Sequence, residues 1–179
     1  MQLALSAIGR DRPGIVAAVS EVLLDNDGNV EDSTMAILRG HFTMMLIVSV
    51  PDEVEPGRLR ARLDEVRERL GLEALTLSEI QDVGPAPEPI PSHILSVYGV
   101  DHPGILHAVS SGLAEQGVNI TDLTTRVIEG EEGAPVYAMM LEVAVPAQTD
   151  VGSLERALAR VRGEQDVELS FRELERDIL

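Results

Sequence analysis

Two stretches of this chain carry one constellation of residues: Gly9-Arg10-Asp11-Arg12-Pro13-Gly14-Ile15 and Gly99-Val100-Asp101-His102-Pro103-Gly104-Ile105. Each runs into an apolar segment that reads as a helix. A smaller signature follows each of them, Asn29-Val30 and Asn119-Ile120. The start of a helix presents unpaired N–H groups and the positive end of the macrodipole, which suit a carboxylate. Gly14 and Gly104 lack a Cβ, so a guest can approach the backbone closely. An Asp carboxylate accepts from an ammonium group, and an Asn amide donates or accepts. Together these groups match a zwitterion with its carboxylate and ammonium on neighbouring atoms. The same residues also have a purely structural reading. Asp ahead of Pro-Gly is an ordinary helix cap, and Asn at a helix-to-strand corner tolerates left-handed backbone. The repetition of the whole set is what weighs toward a ligand. The candidate binding residues are therefore Asp11, Arg12, Gly14, Ile15, Asn29 and Val30, with Asp101, His102, Gly104, Ile105, Asn119 and Ile120.

The elements that position these residues are also written twice. The pattern of 5–34 returns at 95–124: Leu5-Ser6 meets Leu95-Ser96, Ala18-Val19-Ser20 meets Ala108-Val109-Ser110, and Asn29, Asp32 and Thr34 meet Asn119, Asp122 and Thr124. Glu129-Gly130-Glu131-Glu132-Gly133 then lengthens one connection in the second copy. Beyond it, Phe42, Met44, Met45 and Leu46 meet Tyr137, Met139, Met140 and Leu141. Within a copy, Leu3 to Ile8 reads as a strand. Pro13 is expected at the first position of a helix, where its missing N–H costs nothing. That helix buries Ile15, Val16, Val19, Val22 and Leu23 at helical spacing. Asn29 to Leu38 is a second strand, and Arg39-Gly40-His41 a tight turn. Phe42, Met44, Leu46, Val48 and Val50 alternate as a strand does. Pro56 opens a second helix with Leu59, Leu63, Val66 and Leu70 on one stripe, Gly71 ends it, and Leu72 to Ile80 is a last strand. The order βαββαβ predicts an α+β fold: two ferredoxin-like units, each a four-stranded antiparallel sheet with two helices on one face. In that fold the Asp-Gly turn and the Asn corner of a copy are expected side by side at one end of the sheet.

Between the copies lies Val83-Gly84-Pro85-Ala86-Pro87-Glu88-Pro89-Ile90-Pro91. Proline at every second position excludes a helix or a central strand. An extended spacer of roughly 25–30 Å is expected at ~3.1 Å per residue. The predicted organisation is domain one at 1–82, a linker at 83–92, domain two at 93–174 and a tail at 175–179.

The 179 residues hold 14 Lys+Arg against 31 Asp+Glu, a net charge of −17, with no Cys, no Trp, two Tyr and two Phe. That charge opposes direct nucleic-acid binding, which draws on Lys and Arg neutralising phosphates. It opposes an anionic membrane surface equally. Without Cys there is no disulfide framework, thiolate metal site or Cys nucleophile. The 44% apolar content suffices for a packed core. Met1 to Gly9 carries no basic residue, so no signal peptide is expected, and the default location is the cytoplasm.

His41, His93, His102 and His107 are scattered without metal-ligand spacing. Met44 and Met139 read as core from strand alternation. The acidic stretch from Glu129 to Gly133 reads as a solvated turn. Arg58, Arg60, Arg62, Arg67 and Arg69 are interleaved with Asp64, Glu65 and Glu68, as on an ordinary mixed-charge face. Arg12 and His102 occupy corresponding loop positions, where either a ligand carboxylate or solvent is the expected neighbour. No phosphate loop, nucleophile elbow, dinucleotide fingerprint or His-Glu-x-x-His occurs.

Asp-x-Pro-Gly-aliphatic, an apolar helix and then Gly-x-Asn-Ile resembles the ACT domain family of small-molecule, mainly amino-acid, sensing modules. In the second copy the match runs through Asp101, Pro103, Gly104, Ile105, Leu113, Gly117, Asn119 and Ile120. The first copy departs at Asp27-Gly28-Asn29-Val30, with Asp where the pattern has Gly. A two-module chain with no catalytic or DNA-binding domain is similar to the glycine cleavage system transcriptional repressor group. The resemblance implies a regulator and not an enzyme, with no cofactor beyond a small amino acid such as glycine. It implies action through a regulator or enzyme as protein partner. Ligand sites are then expected at interfaces between modules, and the chain is expected to form a homodimer through pairing of sheet edges. A regulatory subunit of an amino-acid biosynthetic enzyme and a ligand-free interaction module stand as alternatives.

Overall fold

The structure is a computed structural model, and it describes residues 1–80, 89–129 and 135–174. The chain divides into two compact units, Met1–Pro85 and Ala86–Leu179. The first contains β1 (Gln2–Arg10), α1 (Ile15–Leu24), β2 (Asn29–Leu38), β3 (His41–Ser49), α2 (Pro56–Leu70) and β4 (Ala74–Glu79). The second contains β5 (His93–Val100), α3 (Ile105–Glu115), β6 (Asn119–Glu129), β7 (Pro135–Ala144), α4 (Val151–Gln165) and β8 (Val167–Glu173). Strand order is β2-β3-β1-β4 in one sheet and β6-β7-β5-β8 in the other, with every described pairing antiparallel. This is the expected βαββαβ architecture, twice. Most of the proline-rich spacer, the acidic turn after Glu129 and the expected tail fall outside the described residues.

Local chemistry accounts for most of the elements. In β3, Phe42, Met44, Leu46 and Val48 are buried and the residues between them are not. Their strand partners in β1 are Gly9, Ala7, Leu5 and Leu3, so one face of the sheet is apolar. The helices cover that face with Ile15, Ala18, Val19, Val22 and Leu23 from α1 and Leu59, Leu63 and Val66 from α2. The second unit repeats this with Leu95, Val97, Ile105, Val109, Leu113, Met139, Leu141, Leu154 and Leu158. Pro56 is the first residue of α2, and Gly71 closes it in left-handed backbone at φ 59°. Arg39 and Gly40 both have positive φ (51° and 81°), which gives the β2–β3 hairpin the twist its strands need.

Two local expectations fail. Pro13 is not the first helical residue. Gly14 intervenes with φ 95°, and α1 begins only at Ile15, because a left-handed residue cannot lie inside a right-handed helix. Val16 is 47% exposed, and Ala18 takes its place against the sheet. Leu70, last on the α2 stripe, is partly buried and packs against the core as expected.

Candidate functional site

Each Asp-x-Pro-Gly turn leaves a first strand and enters a helix. Gly14 and Gly104 are the N-cap residues of α1 and α3, left-handed at φ 95° and 107°, and neither helix has a side-chain cap. Asp11 and Asp101 therefore do not cap, and the structural reading of these aspartates does not hold. Their backbone is what the fold uses. Asp11 N–H donates to Gly40 O at 3.1 Å, and Asp101 N–H donates to Pro135 O at 2.9 Å. Among the described residues both side chains lack hydrogen-bond and ion-pair partners, and both are exposed. A Cβ at Gly14 would meet nothing within 4 Å, and one at Gly104 would meet only Gln165 Oε1, at 3.6 Å. The approach to each helix start is open. Ile15 and Ile105, at 1% and 2% exposure, anchor the turns to the core and do not face a guest through their side chains. Gly14 also borders an open groove between α1 and α2, lined further by Ala17, Leu24, Arg69 and Leu70.

The Asn corners lie elsewhere. Asn29 pairs with Ser49, and Ser49 pairs with Gln2 at the start of β1. Arg10, next to Asp11, pairs with His41, whose other partner is Leu38 at the far end of β2. The expected juxtaposition within a copy is thus corrected: the Asp-Gly turn and the Asn corner occupy opposite ends of one sheet, roughly 25 Å apart at ~3.3 Å per residue. The second unit agrees, with Asn119 opposite Ala144 and Val100 opposite Val136. The physical reason is the crossover: α1 carries the chain back along the sheet, so β2 starts where β1 started.

Neither Asn is left-handed. That task falls to Asp27 (φ 52°) and Gly117 (φ 69°), two residues earlier in each copy. The Asp-for-Gly departure therefore keeps the same backbone, as a short polar side chain can. Asn29 and Asn119 are exposed, with no side-chain hydrogen bond among the described residues. Val30 is 43% exposed, and Ile120 packs partly against the core. Beside each corner the strand bulges, between Val30 and Asp32 and between Ile120 and Asp122. At the second bulge sits Thr121, whose Oγ1 is buried with no hydrogen-bond partner among the described residues. Sequence reasoning passed over Thr121, because a bulge leaves no mark on hydropathy alternation.

Arg12 and His102 face the ends of other helices. Both His102 ring nitrogens lie against backbone carbonyls, Nδ1 at 3.1 Å from Pro103 O and Nε2 at 3.0 Å from Gln165 O. The carbonyl of Gln165 first, and that of Pro103 next, raise the imidazole's pKa above its ordinary value; desolvation opposes them, and Asp101 and then Asp166 add lesser increases. Among the described residues no three His, Cys, Asp or Glu are grouped to hold a metal. No helix there is long and apolar enough to cross a membrane.

Comparison with known proteins extends this picture. The chain is 30% identical over 168 residues to the phosphoserine phosphatase SerB2 of Mycobacterium tuberculosis, covering 93% of this chain but 39% of that enzyme. It is 26% identical over 162 residues to the glycine cleavage system transcriptional repressor of Escherichia coli, covering 87% of this chain and 80% of the repressor. A crystal structure of an unknown protein from Galdieria sulphuraria superposes with a TM-score of 0.77 at 29% identity, covering 97% and 98% of the two chains. ACT domain models match residues 1–76 and 93–163, the two units whose geometry is described above. The chain belongs to the ACT domain family, carries two such domains in tandem, and is a homologue of the glycine cleavage system transcriptional repressor.

Proposed function

We propose that this is an amino-acid-sensing regulatory protein of the cytoplasm that binds a small amino acid such as glycine and acts through a protein partner, in transcriptional control of glycine cleavage. The observation that carries the reading is the pair of open, left-handed glycine turns at the starts of α1 and α3, each beside an exposed Asp whose side chain has no hydrogen-bond or ion-pair partner among the described residues. Free first-turn N–H groups hold the guest carboxylate, and Asp11 or Asp101 receives its ammonium. The Asn of the same module lies too far away to take part. A neighbouring module supplies it. When two second strands pair edge to edge in antiparallel sense, the Asn corner of one arrives at the end of the other's sheet that carries the Asp-Gly turn. The ligand then joins two modules and favours one packing over others, which the partner reads. Both second strands are sheet edges and carry exposed apolar residues, Met35 and Ile37 on β2 and Leu123 and Val127 on β6, which supports such pairing and a homodimer. The acidic surface suits regulation through protein and not DNA.

A thermal-shift panel of the twenty amino acids tests this. A ligand at 100 times its dissociation constant adds about 2.7 kcal/mol, a shift of several degrees. Asp101→Ala and Asn119→Ala are each expected to abolish the shift while leaving the unliganded melting temperature nearly unchanged. A flat panel would favour a ligand-free interaction module. The long match to phosphoserine phosphatase supports one second reading, a regulatory subunit of an amino-acid biosynthetic enzyme. Co-purification with such an enzyme, and amino-acid-dependent change in its rate, would select it.

A further inference from the structure

Corresponding positions in the two turns hold different cations, and both lie at the C-terminal end of their own unit's second helix. In the second unit, Gln165 is the last residue of α4, so its carbonyl is one of the unpaired acceptors at the negative end of the helix. His102 brings Nε2 to that oxygen and Nδ1 to Pro103 O. A carbonyl oxygen only accepts, and a neutral imidazole has a single N–H. The neutral ring therefore satisfies one of these contacts, and the imidazolium satisfies both. Two carboxylates also act on the ring: Asp101 from its own turn and Asp166 from the left-handed residue that closes α4. The cation in the last turn of α4, Arg162, is engaged by Glu168 at 3.1 Å. In the first unit the residue before the proline is Arg12. Its Nη2 lies 3.1 Å from where a Cβ on Gly71 would stand, and Gly71 closes α2 as Asp166 closes α4. Arginine stays charged throughout the accessible pH range. Histidine changes charge between pH 5 and 8.

We propose that His102 is a proton-operated strap: as imidazolium it fastens the Asp101–Gly104 turn to the end of α4, and on deprotonation it gives up one of its two carbonyl contacts. Arg12 gives the first unit a cation in the same place that pH does not switch. The two turns of one chain thus differ in their response to pH. This goes beyond the ligand reading and does not rest on it, because it concerns the free protein.

The test is a pH titration of the unliganded full chain by nuclear magnetic resonance. The His102 ring should titrate above about 6.5, the value of a free imidazole. The backbone amides of Asp101, Gly104 and Asp166 should move with the same midpoint. In His102→Arg those amides should lose that transition while the remaining spectrum keeps its pattern. A ring midpoint at or below about 6.5 overturns the proposal. So do turn amides that titrate unchanged in His102→Arg. A second variant, His102→Ala, should speed exchange of the Asp101 amide relative to the native chain by more at about pH 5.5, where the ring holds both contacts, than at about pH 8.5, where it holds one. Equal exchange at both pH values overturns the proposal as well.

Discussion

Val167 packs directly over Gly99: a Cβ built on Gly99 would stand 2.7 Å from Val167 Cγ1 and 3.3 Å from its Cα. The first unit repeats the arrangement with Leu72 over Gly9, at 2.8 Å from Cδ2 and 3.1 Å from Cα. The glycine that heads each repeated motif is thus set by packing of the second residue after the second helix, and it lies outside the candidate site. Gly99→Ala forces that contact apart in a core where Val167 is only 4% exposed. A loss of about 1–3 kcal/mol is expected, as for overpacking generally. Urea unfolding should show a lower midpoint with an unchanged slope. An unaltered midpoint would mean that β8 yields without cost.

What could be read without coordinates was whatever leaves a periodic mark. Phe42, Met44, Leu46 and Val48 alternate in sequence and are buried as a row. Pro56 and Gly71 bound α2 because each has a backbone preference that its position demands. The site was legible only in pieces. Asp11, Gly14 and Asn29 recur as a set, yet nothing in their spacing says that α1 returns the chain to the opposite end of the sheet. The left-handed turn at Gly14 escaped for a related reason. Pro-Gly fits both a helix's first residues and a turn ahead of it, and only the tie from Asp11 N–H to Gly40 O decides between them. Thr121 at its bulge and the reach of His102 to Gln165 depend on contacts distant in sequence, which no local pattern encodes.

Glycine-to-alanine exchange separates backbone strain from steric crowding. At Gly104 a methyl group has room, but φ 107° is a region that L side chains avoid. Gly104→Ala should therefore cost about 1–2 kcal/mol through the backbone alone. Gly163 lies inside α4 with open space around its Cβ position. Gly163→Ala should instead stabilise the chain by about 0.5–1 kcal/mol. Chemical denaturation of both variants reads the opposite signs. A stabilising Gly104→Ala would refute the left-handed turn.

Two adjacent methionines report the sheet's alternation. Met139 is 1% exposed within the second core, and Met140 is 49% exposed on the other face. Met139→Ala should cost about 2–5 kcal/mol, the range for emptying a packed site. Met140→Ala should stay within about 0.5 kcal/mol, as surface changes do. Comparable losses in both variants would place β7 one residue out of register.

The pH dependence of stability carries a sign set by His102. Its contacts with Gln165 O and Pro103 O raise the folded-state pKa above the ordinary imidazole value, with Asp101 and Asp166 adding to the effect. A group raised on folding binds its proton more tightly in the folded chain. Its stabilising contribution is therefore complete below about pH 6.5 and fades as pH rises through the higher folded value. The destabilisation caused by His102→Ala should be largest near pH 5.5 and shrink toward pH 8.5, across the imidazole range. Comparing urea midpoints of native and variant chains at each pH cancels the titration of the many carboxylates common to both. A difference that grew with pH would require the folded chain to prefer the neutral ring, contrary to two carbonyls facing its nitrogens.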